Sequence, residues 1–296
     1  MQVVALRQPD HIRPLLRADR FFADYALGDL DPAHFQFTEW FGAEESGELR
    51  AVVMLYHDLN PSVFFATGEA RGIEAILGGA VKLPRIGLSI HEEHLPVIER
   101  FYRADPVPML KMALLPEDSR QDSESRLART RRIAAVGRWA QPAGERWSNT
   151  NRLKSQVPTG VWKLLRLDVS HLPLLEELYS YGGGDAFRRR SLELGVFYGV
   201  FDAGRLISVA GTHIVSECEH IAALGNVMTH PGYRSQGLAT MATSAVCKEL
   251  LERGVELIGL SVSRSNEAAI RVYEKLGFKR RVPFFEGTAT RVEPNT

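Results

Sequence analysis

The chain has 296 residues, 45% of them hydrophobic, and its 36 basic residues balance 36 acidic ones. That length suits two mixed domains of ordinary size, and neutrality argues against a nucleic-acid binder, which carries a basic face. Two cysteines, Cys218 and Cys247, are too few for a disulfide scaffold and lack a metal-ligand spacing, so no metal is expected. The first residues are interrupted by Arg, Asp and His too often for a secretory leader. No run reaches the roughly eighteen apolar residues of a membrane helix. A soluble, cytoplasmic protein with neither membrane nor nucleic-acid partners is therefore expected.

In chain order, Leu49–Tyr56 and Ser62–Ala66 read as strands, rich in β-branched and aromatic residues and separated by the turn-forming HDLNP. A short helix is predicted over Gly68–Leu77, then a strand at Arg85–Ile90, a helix through residues 91–103 and a strand near Pro108–Leu115. Residues 116–158 are charged and rich in turn formers, which marks a domain junction. They include a basic cluster, Arg126, Arg129, Arg131 and Arg132, read as solvated surface. The expected organisation is an accessory α/β domain over 1–125, a linker over 126–158 and a second domain over 159–296.

The second half has a cleaner rhythm. Val161–Leu167 reads as a strand, with Asp168 or Ser170 capping a helix at LPLLEELY. Leu194–Phe201 and Leu206–Ile214 flank the turn DAGR and predict a hairpin. Ile221–Met228 adds a third antiparallel strand. A long helix follows from Leu238 to Gly254, then a strand at Leu257–Val262 and a shorter helix within NEAAIRVYEKLGF.

The segment carrying chemistry is MTHPGYRSQGLAT, where a strand hands the chain to the long helix. Gly237 and Ala239 permit close backbone approach to a ligand. The first helical N–H groups lack internal partners and converge on any anion above the helix end, and Arg234 adds a charge-assisted contact. The missing Gly-Lys-Ser/Thr rules out a nucleotide P-loop, and the lone glycine of RSQGLA rules out a dinucleotide fingerprint. Downstream, Asn266 stands at a helix start, and Tyr273 follows about two turns later on roughly the same face.

Together, residues 229–240 (THPGYRSQGLAT) and 266–278 (NEAAIRVYEKLGF) resemble the two main signatures of the GNAT acetyltransferase superfamily. The resemblance covers Val161 to about Phe285. It implies an α/β fold with a mixed, splayed sheet flanked by helices, and acetyl-coenzyme A as donor for N-acetyl transfer to a small-molecule or peptide amine. It further implies that Val227, Met228 and Thr229 line the pantetheine. The backbone of Arg234, Ser235, Gln236, Gly237, Leu238, Ala239 and Thr240 would hold the pyrophosphate. Asn266 would touch the pantetheine, and Tyr273 would protonate the departing thiolate.

A thiol with a pKa near 8.5 leaves readily, so such an acid assists rather than rescues the step. Glu193 is the candidate general base, with Glu217, Glu219, His213 and His230 as alternatives. The first half faintly mirrors the second but has neither RxxGxA nor a counterpart of NEAAIRVYEKLGF, as a degenerate copy in tandem would. A CoA-binding sensor without turnover is the competing function. Acceptor identity, acyl preference and oligomeric state are not encoded in these patterns.

Overall fold

The computed structural model describes residues 1–120, 162–183 and 187–292. The basic cluster Arg126–Arg132 and the expected linker lie outside them. The chain divides into two compact units: Met1–Leu115 with Ile214–Ala223 and Val255–Thr296, and Pro116–His213 with Leu224–Gly254.

The first unit holds strands β1 (Gln2–Leu6), β2 (Thr38–Glu45), β3 (Glu48–Tyr56), β4 (Val63–Gly68), β5 (Arg85–His91) and β6 (Tyr102–Leu114). It also holds β11 (Leu257–Ser263), β12 (Lys279–Arg291) and the beginning of β10 (Ile221–Thr229). Their order is β1-β2-β3-β4-β5-β12-β6-β11-β10. Pairing is antiparallel except for β4 with β5 and β10 with β11.

This sheet is buried on both faces. Along β3, Val52 and Met54 join a core beneath α1 (Pro9–Ala18) and α2 (Asp24–Gly28), with Ile12, Leu16, Ala26, Leu27, Trp40 and Phe284. The alternate residues Ala51, Val53 and Leu55 join the opposite core beneath α4 (Ala70–Gly79), with Ile73, Ile76 and Leu77. Two-sided burial explains why LRAVVMLY is apolar nearly throughout. A further short helix, α3 (Pro32–Phe35), is capped by Asp31, whose carboxylate accepts from the Ala33 N–H.

A helix through 91–103 is not what forms. The chain makes a 3-10 turn at Glu92–His94 and a short α5 (Leu95–Glu99), then enters β6 at Tyr102. β6 needs those residues because Tyr102 through Ala113 pair with β12 along nearly its whole length.

The second unit contains α6 (Pro116–Arg120), β7 (Trp162–Arg166), α7 (Leu172–Tyr179), α8 (Arg189–Leu194), β8 (Tyr198–Asp202), most of β9 (Arg205–Ser216), the end of β10 and α9 (Leu238–Glu252). β7, β8 and β9 pair antiparallel, in the order β10-β9-β8-β7. The hairpin strand is shorter than the predicted Leu194–Phe201, because Leu194 ends α8 and β8 begins at Tyr198. α9 buries Leu238, Ala242, Val246 and Leu250, spaced by four, together with Thr243 and Cys247. The remaining helix, α10 (Glu267–Leu276), belongs to the first unit and ends at Gly277, whose φ of 101° suits glycine.

The two parallel pairs follow one plan: antiparallel strands, a crossover helix, then a parallel strand. They differ at the strand-to-helix turn. In the first half Glu69 alone separates β4 from α4, whereas residues 230–237 separate β10 from α9.

His94, 2% exposed, donates from Nε2 to the Gly68 carbonyl at 3.0 Å. Burial first, then the neighbouring His91, holds its pKa below the ordinary 6.5. The unfolded chain therefore takes up this proton first as pH falls, and the stability that neutral His94 contributes is present above about pH 6.5 and lost below it. Replacing His94 with Gln should flatten the loss of stability between about pH 7 and 5, measured by urea denaturation at each pH.

Candidate functional site

β10 and β11 run parallel and pair at Ile221/Leu257, Ala222/Ile258 and Ala223/Gly259, after which each strand continues, to Thr229 and to Ser263. This short ladder is the splay of the sheet. Just past it, Asn226 adopts φ 52°, which breaks the extended run of β10. The Tyr179 hydroxyl donates to the Asn226 carbonyl at 2.8 Å, and the Asn226 amide reaches the Thr212 carbonyl at 3.3 Å. His213 lies over the preceding residue so closely that a Cβ at Gly225 would overlap its imidazole. His213 is thus a packing group against β10 that also meets Asn226 Nδ2 at 3.4 Å.

Of the expected pantetheine-lining residues, Met228 is buried in the core of the second unit, while Val227 and Thr229 are half-buried. Ser208 fixes this strand end, its hydroxyl reaching the Met228 carbonyl at 3.1 Å and Thr229 Oγ1 at 2.8 Å. His230 then accepts from the Gly232 N–H at 3.1 Å and starts a 3-10 turn over Pro231–Tyr233. Tyr233 anchors the turn from below by donating to Asp202 at 3.0 Å. Burial first, then Arg205, lowers the His230 pKa, as expected for a neutral ring beside a guanidinium. The guanidinium of Arg205 reaches both the Tyr181 hydroxyl, at 2.8 Å, and His230 Nε2, at 3.3 Å.

Arg234, Ser235 and Gln236 are exposed. Ser235 at φ 63° and Gly237 at φ 79° wind the loop through two left-handed residues before α9 begins. The first N–H of α9 to bond inside the helix is that of Met241, to the Gly237 carbonyl at 3.0 Å, and Gly237 offers no side-chain cap. The amides of Leu238, Ala239 and Thr240 therefore lie ahead of the helical ladder, at the positive end of the helix dipole. A left-handed residue followed by helical amides is an anion-binding concavity.

In the first unit, Asn266 caps α10, its side chain accepting from the Ala269 N–H at 3.1 Å while otherwise exposed. Tyr273 is 8% exposed and packs edge-on against Phe278 at 5.7 Å.

The candidate bases are dispersed. Glu193 lies on α8 and pairs with Arg189 at 3.2 Å on an exposed face. Glu217 is exposed, and Glu219 is held by Arg13 at 2.6 Å and Arg17 at 2.9 Å. Cys247 is buried, which pushes its thiol up to about 12 and makes it a poor nucleophile. Cys218 is exposed. The start of α4 differs from that of α9. Beside it a cleft of about 540 Å³ is lined by Arg50, Glu69, Glu93 and His94, with Glu69 paired to Arg71 at 2.7 Å.

Among the described residues, no three His, Cys, Asp or Glu side chains group as metal ligands, and no helix is long and apolar enough to cross a membrane.

The splayed sheet and this strand–loop–helix turn define an acetyltransferase fold: the chain has the fold of the GNAT superfamily, in a form consistent with the tandem arrangement of related structures. Residues 166–278 match the Acetyltransferase (GNAT) family. The [ribosomal protein bS18]-alanine N-acetyltransferase of Escherichia coli K12 is 39% identical over 75 residues, 25% of this chain and 49% of that protein. An acetyltransferase of Sodalis glossinidius is 38% identical over 60 residues, 20% of this chain and 42% of its own. The chain thus spans about half the length of the curated relatives it matches. Over the whole chain the fold resembles a tandem GNAT protein from the clavulanic acid biosynthesis pathway, with TM-score 0.57, 12% identity and coverage of 100% and 99%. A GCN5-related N-acetyltransferase from Sphaerobacter thermophilus gives TM-score 0.55, 15% identity and coverage of 100% and 96%.

Substituting Gly225 with Ala should destabilise the protein by about 1–3 kcal/mol, since the His213 ring must leave its place over β10. The midpoint of urea unfolding checks this, and an unchanged midpoint would show that the ring yields freely.

Proposed function

We propose that the protein transfers an acetyl group from acetyl-coenzyme A to a primary amine of a small molecule or peptide by direct attack. The observation that carries this reading is the turn from β10 to α9, where Ser235 and Gly237 adopt left-handed φ and the amides of Leu238, Ala239 and Thr240 precede the helical ladder. These groups, with Arg234, would hold the pyrophosphate, and Val227, Met228 and Thr229 would flank the pantetheine. Likeness to the GNAT family over 166–278 and to the bS18-alanine N-acetyltransferase segment supports acetyl transfer in general. That relative acts on an alanine, so peptides with a free α-amino group belong among the acceptors to test first.

Acetyl-coenzyme A supplies an activated thioester. The chain's own contribution is to hold it, to aim the amine at it, and to manage two protons. Tyr273 would donate to the thiolate. The turn before α4 is Glu69 alone, against residues 230–237 before α9, which favours the second half for donor binding.

The test is acceptor-dependent thiol release from acetyl-coenzyme A against pooled amines, peptides, polyamines and amino acids, with the product's mass determined. A mass gain of one acetyl group establishes the reaction. Binding of coenzyme A without release with any amine would favour a sensor. Tyr273→Phe should lower turnover about 100-fold while donor affinity stays within about twofold. Gly237→Val, forced to a φ that costs a branched residue about 1–2 kcal/mol, should weaken donor binding about tenfold by calorimetry.

A further inference from the structure

The first unit contains a polar cluster that neither signature touches. Asp24, on α2, is fully buried, and its Oδ1 lies 2.5 Å from Lys111 Nζ, on β6. The ammonium also sits 4.2 Å from the Tyr25 ring centre and 5.4 Å from that of Phe284. Asp24 Oδ2 closes no hydrogen bond among the described residues and lies against β11, where a Cβ at Gly259 would overlap it. Lys111 stands opposite Ser261 of β11 on one side and Val282 of β12 on the other. Alternation along β12 then brings Phe284 and Glu286 to the same face as Val282.

Asp24 and Lys111 are closed off, whereas Tyr25, Ser261 and Glu286 are half-buried and border them. The Ser261 hydroxyl acts on both Tyr25 and Glu286 as a hydrogen-bonding group that favours the charged form of each. Burial first, then Asp24, raises the Tyr25 pKa, and both Glu286 and Tyr273 raise it further.

The charges decide what such a cluster accepts. Lys111 is compensated by Asp24, so the carboxylate of Glu286 leaves one net negative charge in an apolar setting. A cationic ammonium fits that field, and a neutral hydroxyl or an anionic acceptor does not. Burial, the largest influence, also raises Glu286 above the usual carboxylate range against the pull of Lys111, which brings it closer to neutral pH, where a base is useful.

We propose that Glu286, bordered by Ser261 and Tyr25 over the Asp24–Lys111 pair, receives the acceptor as a primary ammonium ion and takes its first proton. This rests on the transferase reading above. The ammonium gives one proton to the Glu286 carboxylate. The freed nitrogen lone pair forms the C–N bond at the thioester carbon, the C–S bond breaks, and the thiolate takes the Tyr273 proton. The second nitrogen proton returns through solvent to the Tyr273 phenolate, and Glu286 releases its own proton to water, so the net yield is amide, thiol and one proton. The groups facing Glu286 in this scheme are Asp24 and Tyr25 from α2, Lys111 from β6, Ser261 from β11 and, through Tyr25, Tyr273 from α10.

The test compares full-length wild type, Glu286→Gln and Glu286→Asp in acetyl-coenzyme A turnover with an alanine-terminated peptide and 1,4-diaminobutane, alongside the pooled amines, from pH 5 to 9. Calorimetric binding of coenzyme A serves as the folding control. Glu286→Gln should lose about 100-fold in kcat/KM, keep its affinity for coenzyme A, and lack the wild type's acid limb. Glu286→Asp, whose carboxylate is withdrawn by one methylene, should lose about tenfold and keep the limb, which preserves the test if the Gln variant fails to fold. Turnover by either variant within threefold of wild type, with an unchanged pH profile, overturns the assignment of Glu286 and leaves the transferase reading standing. Absence of thiol release by wild type that binds coenzyme A overturns the transferase reading, and this assignment falls with it.

Discussion

The first unit depends on where β12 lies. This 13-residue strand pairs antiparallel with β5 on one side and β6 on the other, so the chain's last strand is enclosed by strands from its first half. β6 in turn pairs with β11, from the second half. Each half therefore sends the strand after its parallel pair to border the other half's parallel pair. Every backbone donor and acceptor along those strands needs a ladder partner once covered by helices on both faces. Exchange satisfies them, and it explains why residues 255–296 belong with the first 115 as one compact unit.

That exchange also gathers the polar cluster. Lys111 comes from β6, Asp24 from the helix over it, Ser261 from β11 and Glu286 from β12. A lysine with a side chain 3% exposed would be strongly destabilising alone, since removing an ammonium from water costs several kcal/mol. It persists because Asp24 meets it directly and the Tyr25 and Phe284 rings flank it. Removing either charge would leave the other buried and unpaired, the costly case for such pairs. Gly259 is part of this arrangement, since only a residue without Cβ leaves room for the Asp24 carboxylate against β11.

The two halves repeat one strand–helix–strand plan but use its turn differently. With Glu69 alone between β4 and α4, the chain has no loop over the helix end, and Glu69, paired with Arg71 at 2.7 Å, occupies that end. Residues 230–237 leave room for two left-handed residues and bring the first α9 amides to an open surface. The macrodipole is the same in kind at both helix starts, so loop length and local charge make the difference.

Much of this is legible in the amino-acid sequence. The loop RSQGLA and the capped helix at Asn266 are local: glycine at a left-handed position, unbonded amides and an asparagine cap depend on neighbours within a few residues, and the fold and helix starts follow from them. The strands of the second half were legible because their turns carry glycine in DAGR and their apolar runs are clean. β12 was not, because KRRVPFFEGTATR carries charges and Pro283, features that argue against an interior strand. Glu193 read as a candidate base by its place in the chain, yet it faces Arg189 on an exposed helix. Glu286 carried no local signal. The sequence by itself determined the turn from β10 to α9 and the cap of α10, because those depend on short-range backbone chemistry. Only the tertiary structure decided which strands exchange and which groups surround Lys111, because a charge's partners are set by strand order, and residues 24, 111 and 261 meet only once the sheet has formed.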